Sequence, residues 1–218
     1  MKGEKSSKLI IQKIIFVILF LFLPLFSLYG QTLQEWIIEG NKLFAEGKYE
    51  KAIGCYDKAI EIDSSSADAW RYKGDSLYFQ RKYKEAVICY DKTIEIDDKY
   101  FFACLNKGLS LYYLTEYKEA VKCYDMAIEL NPAYTKTWIN KGIAFAHMKK
   151  YDDAIYCYNR VIEMDSSCKD AWNYKGLALF KQKKYEEAIL CYDEALKIDP
   201  KNKELQYNKE KALKALTK

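Results

Sequence analysis

Residues 169–202 read KDAWNYKGLALFKQKKYEEAILCYDEALKIDPKN, and the spacing within them decides the fold. The first half puts Trp172, Leu179 and Phe180 on one helical face together with Gly176. The second half carries Ala188, Cys191, Tyr192, Ala195 and Leu196 at i, i+3, i+4, i+7 and i+8. That is the 3.6-residue period of a helix with one buried face. Lys183 and Lys184 make the turn between the halves, and Asp199-Pro200 stops the second helix, because the residue before a proline is driven out of helical geometry.

Working back from this stretch, the same pattern recurs every 34 residues. Gly40, Gly74, Gly108, Gly142 and Gly176 form one series, and Ala52, Ala86, Ala120, Ala154 and Ala188 a second. Tyr49, Tyr83, Tyr117, Tyr151 and Tyr185 keep the step, as do Tyr56, Tyr90, Tyr124, Tyr158 and Tyr192. Trp36, Trp70, Trp138 and Trp172 make a further series whose gap is filled by Cys104. The chain therefore divides into five units, 33–66, 67–100, 101–134, 135–168 and 169–202, each predicted to be two helices. A glycine inside a helix costs about 1 kcal/mol relative to alanine, so five in one register need a packing reason. The expectation is close approach of the paired helix, with the alanines opposite and the tyrosine filling the space where the backbones diverge.

This pattern resembles the tetratricopeptide repeat over all five units. The family pattern of Trp, Leu, Gly, Tyr, Ala, Phe and Pro is met as Trp70, Lys73, Gly74, Leu77, Ala86, Tyr90 and Asp98, with proline only at Pro132 and Pro200. Lysine stands before the glycine in four units, as Lys73, Lys107, Lys141 and Lys175, where its stem covers apolar surface while the ammonium reaches water. The resemblance implies an all-α, right-handed α-solenoid of five helix-turn-helix units over residues 31–218. Residues 203–218 are expected to cap the stack through Leu205, Leu213 and Leu216, with their charged residues facing water.

The chain ahead of the repeats reads differently. Lys2, Lys5, Lys8 and Lys13 precede an apolar run from Ile14 to Leu28, and polar sequence begins near Gln31. That order is expected of a signal peptide in residues 1–30, or of an uncleaved anchor, and either places the repeats outside the cytoplasmic membrane, periplasmic or secreted. The membrane is then touched only through this segment. Of a net charge of +4, this segment holds +3, so the repeats are nearly neutral and carry no nucleic-acid footprint.

The resemblance also implies a binding groove, lined by side chains three before and one after each glycine and one turn further out. In the central units these are Phe102, Leu105, Leu109, Tyr112, Tyr113, Ile139 and Ile143, an apolar strip fit to anchor a protein or peptide partner. Family members that clamp a C-terminal carboxylate use a set of bases and asparagines. Here Arg71, Asn106 and Lys136 match it, whereas Asp75 stands where asparagine is expected and Asn140 where a base is expected. Asp75 repels a carboxylate, which argues against that ligand and leaves Arg71 and Lys136 to orient a different one.

No catalytic or cofactor site is expected. Cys55, Cys89, Cys123, Cys157 and Cys191 share a register that places them on equivalent helices too far apart for disulfides, and Cys168 falls at a turn. No C-x-x-C or Cys and His cluster predicts a metal. His147 is the only histidine and is expected at the groove rim, and the recurring Asp57, Asp91, Asp125 and Asp193 read as a solvated face. The sequence thus predicts a non-catalytic, exported adaptor, with a membrane-bound or self-associating scaffold as the alternative.

Overall fold

The computed structural model describes residues 31–217; the segment read as a signal peptide or anchor lies outside the described residues. Eleven helices and no strand make up the described chain. Five pairs follow one another: α1 Leu33–Ala45 with α2 Tyr49–Ile62, α3 Ala67–Phe79 with α4 Tyr83–Ile96, and α5 Phe101–Tyr113 with α6 Tyr117–Leu130. Then come α7 Thr135–His147 with α8 Tyr151–Met164, α9 Lys169–Lys181 with α10 Tyr185–Ile198, and a last helix α11 Lys203–Leu216. Among these, no helix is long and apolar enough to cross a membrane.

Local chemistry sets the helix ends. Thr32 and Glu35 form a reciprocal capping box that starts α1, and Ser66 and Asn202 accept backbone N–H bonds at the starts of α3 and α11. Within each pair the chain reverses through one left-handed residue, Gly47, Arg81, Thr115, Lys149 or Lys183, with φ between 60° and 74°. Only the first of these is the residue that adopts this conformation without strain.

Each helix packs on the next, and the first helices of neighbouring units also touch one another, whereas neighbouring second helices do not. The first helices α1, α3, α5, α7 and α9 therefore line the inner face of a curved stack, and α11 takes the place that the first helix of a sixth unit would have.

The glycine series lies under tyrosine rings. A Cβ added at Gly40, Gly74, Gly108, Gly142 or Gly176 would stand 2.5–2.8 Å from Cε1 of Tyr56, Tyr90, Tyr124, Tyr158 or Tyr192. The close partner is thus the ring of the same unit's second helix, and each ring is almost wholly buried. A large aromatic side chain is thus buried at one register within each pair.

Between units the lysines do more than shield apolar surface. Nζ of Lys73, Lys107 and Lys141 lies 2.5 Å from Oδ1 of Asp57, Asp91 and Asp125, and Lys209 pairs likewise with Asp193. The aspartates read as a solvated face are in fact one side of a ladder of ion pairs between successive units. Lys175 has an asparagine, Asn159, at the corresponding place and keeps only its position over the Trp172 ring, which Lys73 and Lys141 share over Trp70 and Trp138.

The cap differs from expectation. Leu205 and Ala212 are buried against the last unit, whereas Leu213 and Leu216 are 43% and 40% exposed. The helical stripe facing α9 and α10 runs through position 212, which turns the leucine beside it outward.

Candidate functional site

The inner face is built from the residue that follows each glycine, and it changes character along the stack. In chain order these residues are Asn41, Asp75, Leu109, Ile143 and Leu177, over Tyr56, Tyr90, Tyr124, Tyr158 and Tyr192.

In the first two units this face is closed on itself. The Tyr56 hydroxyl donates to Asn41 Oδ1 at 2.8 Å. Asp75 Oδ1 accepts from the Tyr90 hydroxyl at 2.8 Å and from Asn106 Nδ2 at 2.9 Å, while Oδ2 lies 2.5 Å from Arg71 Nη1. Arg71 also donates through Nε to the Tyr100 hydroxyl at 3.0 Å, and that hydroxyl donates to Asp68. The Arg71 and Asp75 side chains are only 15% and 14% exposed. Burial pushes the Asp75 carboxyl above its ordinary range, although Arg71, Tyr90 and Asn106 all pull it down. Arg71, Asp75 and Asn106 are therefore brought together, but as each other's partners.

From the third unit on, the face opens. Leu109, Tyr112, Tyr113, Tyr124, Asn140 and Ile143 line a cavity of about 200 Å³ between α5, α6 and α7. Exactly one period later, Ile143, Ala146, His147, Tyr158, Tyr174 and Leu177 line a second of about 430 Å³, with Lys149 and Lys181 also at its wall. Each of the first six residues lies 34 before its counterpart, so these are two copies of one socket sharing Ile143. The Tyr124 hydroxyl is buried and has no hydrogen-bond partner. Burial raises its pKa, so at neutral pH it remains a hydroxyl able to donate.

Four residues of the expected strip, Leu109, Tyr112, Tyr113 and Ile143, thus meet in one cavity, together with Asn140 from the comparison with carboxylate clamps. Leu105 does not, being 4% exposed inside the cluster that holds Cys104, Leu111 and Ala127. Ile139 is half-buried beside Trp138 and Val161. Phe102 is 50% exposed against Phe101 and Tyr134, and Lys136 is exposed on the first turn of α7. His147 stacks on Tyr117 with centroids 5.1 Å apart, and its Nε2 lies 2.9 Å from the Tyr112 hydroxyl. Spacing relative to the glycine missed Tyr124, Tyr158 and Tyr174, and Leu177, which obeys the rule, lay beyond the central units read for the groove. The signal for them was present in the change from Asn41 and Asp75 to Leu109, Ile143 and Leu177 above a constant tyrosine.

The cysteines add no reactive group to this face. All seven are free and six are buried, and burial pushes the Cys89, Cys123 and Cys191 thiols up to about 11 and Cys157 to about 12.

Profiles described as "Tetratricopeptide repeat" match residues 101–134, 135–168 and 170–202 and residues 67–100, and one described as "TPR repeat" matches 40–80. No curated protein matches the sequence. Among solved structures, YrrB, described as a TPR protein with an unusual peptide-binding site, is 27% identical, with a TM-score of 0.72 over 81% of this chain and 91% of its own. A tetratricopeptide repeat protein from Parabacteroides merdae ATCC 43184 is 16% identical, with a TM-score of 0.77 over 86% of this chain and 75% of its own. PilF of Pseudomonas aeruginosa is 24% identical, with a TM-score of 0.70 over 85% and 84%. The last two likenesses concern the fold.

Proposed function

Because this chain belongs to the tetratricopeptide repeat family, we propose that it is a non-catalytic adaptor holding a peptide or helix of a partner protein along the inner face of its third to fifth units. The observation that carries this reading is the pair of sockets that share Ile143, open where the same register in units one and two is closed by internal hydrogen bonds. Apolar walls with a few placed polar groups are what a peptide side chain needs for burial and orientation. The peptide-binding site named for YrrB supports the same direction. The basic and apolar order of residues 2–28 supports export, with the repeats acting outside the cytoplasmic membrane.

The test is a photo-crosslinking amino acid placed at Tyr113 on the inner face and, as control, at Tyr156 on a second helix; both are exposed. A partner protein crosslinks from Tyr113 only, and Ile143→Lys removes it while the helical circular dichroism persists. Equal crosslinking from Tyr156, or full retention by Ile143→Lys, overturns the groove reading. A scaffold that stacks end to end is the second reading, favoured by Tyr207, Leu213 and Leu216, exposed on the terminal helix. It requires oligomers that Leu213→Glu with Leu216→Glu disperses in light scattering.

A further inference from the structure

The molecule contains its own template for what fills the first open socket. One unit earlier, a single oxygen, Asp75 Oδ1, takes hydrogen bonds from both the Tyr90 hydroxyl and Asn106 Nδ2. Stepping forward 34 residues, Tyr90 becomes Tyr124 and Asn106 becomes Asn140, so both donors recur. The acceptor does not, because Asp75 becomes Leu109. The Tyr124 side chain is 0% exposed, its hydroxyl is unpartnered, and it lines the same cavity as Asn140. Resting on the groove reading above, we propose that this socket recognises a side-chain carboxamide, glutamine or asparagine, of the partner peptide, whose oxygen takes the place of Asp75 Oδ1 between Tyr124 and Asn140.

The charge of the occupant follows from a second substitution in the register. Asp75 is ionisable where it stands because Arg71 lies against it, but 34 residues on Arg71 becomes Leu105, which is buried. No charged side chain lines this socket. A carboxylate entering it loses water without gaining a countercharge, and a hydrocarbon side chain leaves the hydroxyl as unmet as it is in the free protein, gaining no hydrogen bond. A carboxamide is neutral, its oxygen accepts two hydrogen bonds, and its length reaches a hydroxyl lying below the surface. The preference belongs to this socket alone, since the next one has Tyr174 at the Asn140 register and offers no second amide.

The experiment selects peptides from a random twelve-residue phage library on the full chain, then compares synthetic Gln, Glu and Leu versions of the enriched sequence by calorimetry. Glutamine or asparagine is enriched at one position, and the Glu and Leu versions bind about tenfold more weakly, the worth of one buried hydrogen bond. Tyr124→Phe and, separately, Asn140→Ala bring the Gln and Leu peptides within about threefold of each other, whereas Tyr158→Phe leaves the gap unchanged. Enrichment of an acidic or wholly apolar residue there, or a gap that both variants leave intact, overturns the carboxamide assignment while binding that Ile143→Lys abolishes keeps the groove reading. Absence of any enriched peptide sensitive to Ile143→Lys overturns both.

Discussion

The first two units and the last three share one backbone plan and differ in what sits above the central tyrosine. In the second unit, Asp75 gathers Arg71, Tyr90 and Asn106 into a network with no group to spare for a ligand. In the third, the same tyrosine and asparagine face Leu109 across an open cavity. One register position therefore decides whether the inner face is closed on itself or left open. Polar residues in a groove are not by themselves a sign of binding. Here they mark the part that is already occupied, and the apolar part is the one left open.

The most severe way to break this contrast is to strip the acceptor from the closed half. Asp75→Leu leaves the Arg71 guanidinium buried and unpaired beside two unmet donors, and stability falls by about 3–5 kcal/mol, read from the urea midpoint of the helical signal. A gentler change sharpens the contrast by treating equivalent tyrosines alike. Tyr90→Phe removes a donor from a buried carboxylate and destabilises by about 1–2 kcal/mol. Tyr124→Phe removes a hydroxyl that has no partner, so the same measurement finds it neutral or slightly stabilised. Equal losses for the two would erase the distinction between the halves. The smallest effect lies where the halves agree, in the left-handed turn. Thr115 has φ 63° where Gly47 has 74°. Thr115→Gly therefore relieves backbone strain and raises stability by roughly 0.5–1 kcal/mol after the added chain entropy of glycine, without altering peptide binding.

The fold was legible because it repeats: a 34-residue step in Gly, Ala, Tyr and Trp leaves only paired helices as the reading. The site was legible in part. Leu109 and Ile143, each one after its glycine, sit on the open cavity, but Leu105, three before, follows the same rule and is buried. Whether a residue three before the glycine stays open depends on how the next first helix leans over it, and one unit's periodicity carries no information about that tilt. The closure of Arg71 by Asp75 was within reach, since opposite charges four apart on a helix face each other. Its further bond to Tyr100 was not, because it spans 29 residues, from the first helix of the unit to its last residue. The lysine and aspartate ladder was hidden for the same reason, each partner looking like a solvated charge until the units are stacked.

Where like helices of neighbouring units meet, only the first ones touch, while each second helix reaches the next unit through that unit's first helix. A column jointed along one side bends about that side, like vertebrae hinged on a common ligament. Each socket lies at one such joint, between the third and fourth units and between the fourth and fifth, so on the proposed reading a peptide that fills both holds two successive joints at fixed angles.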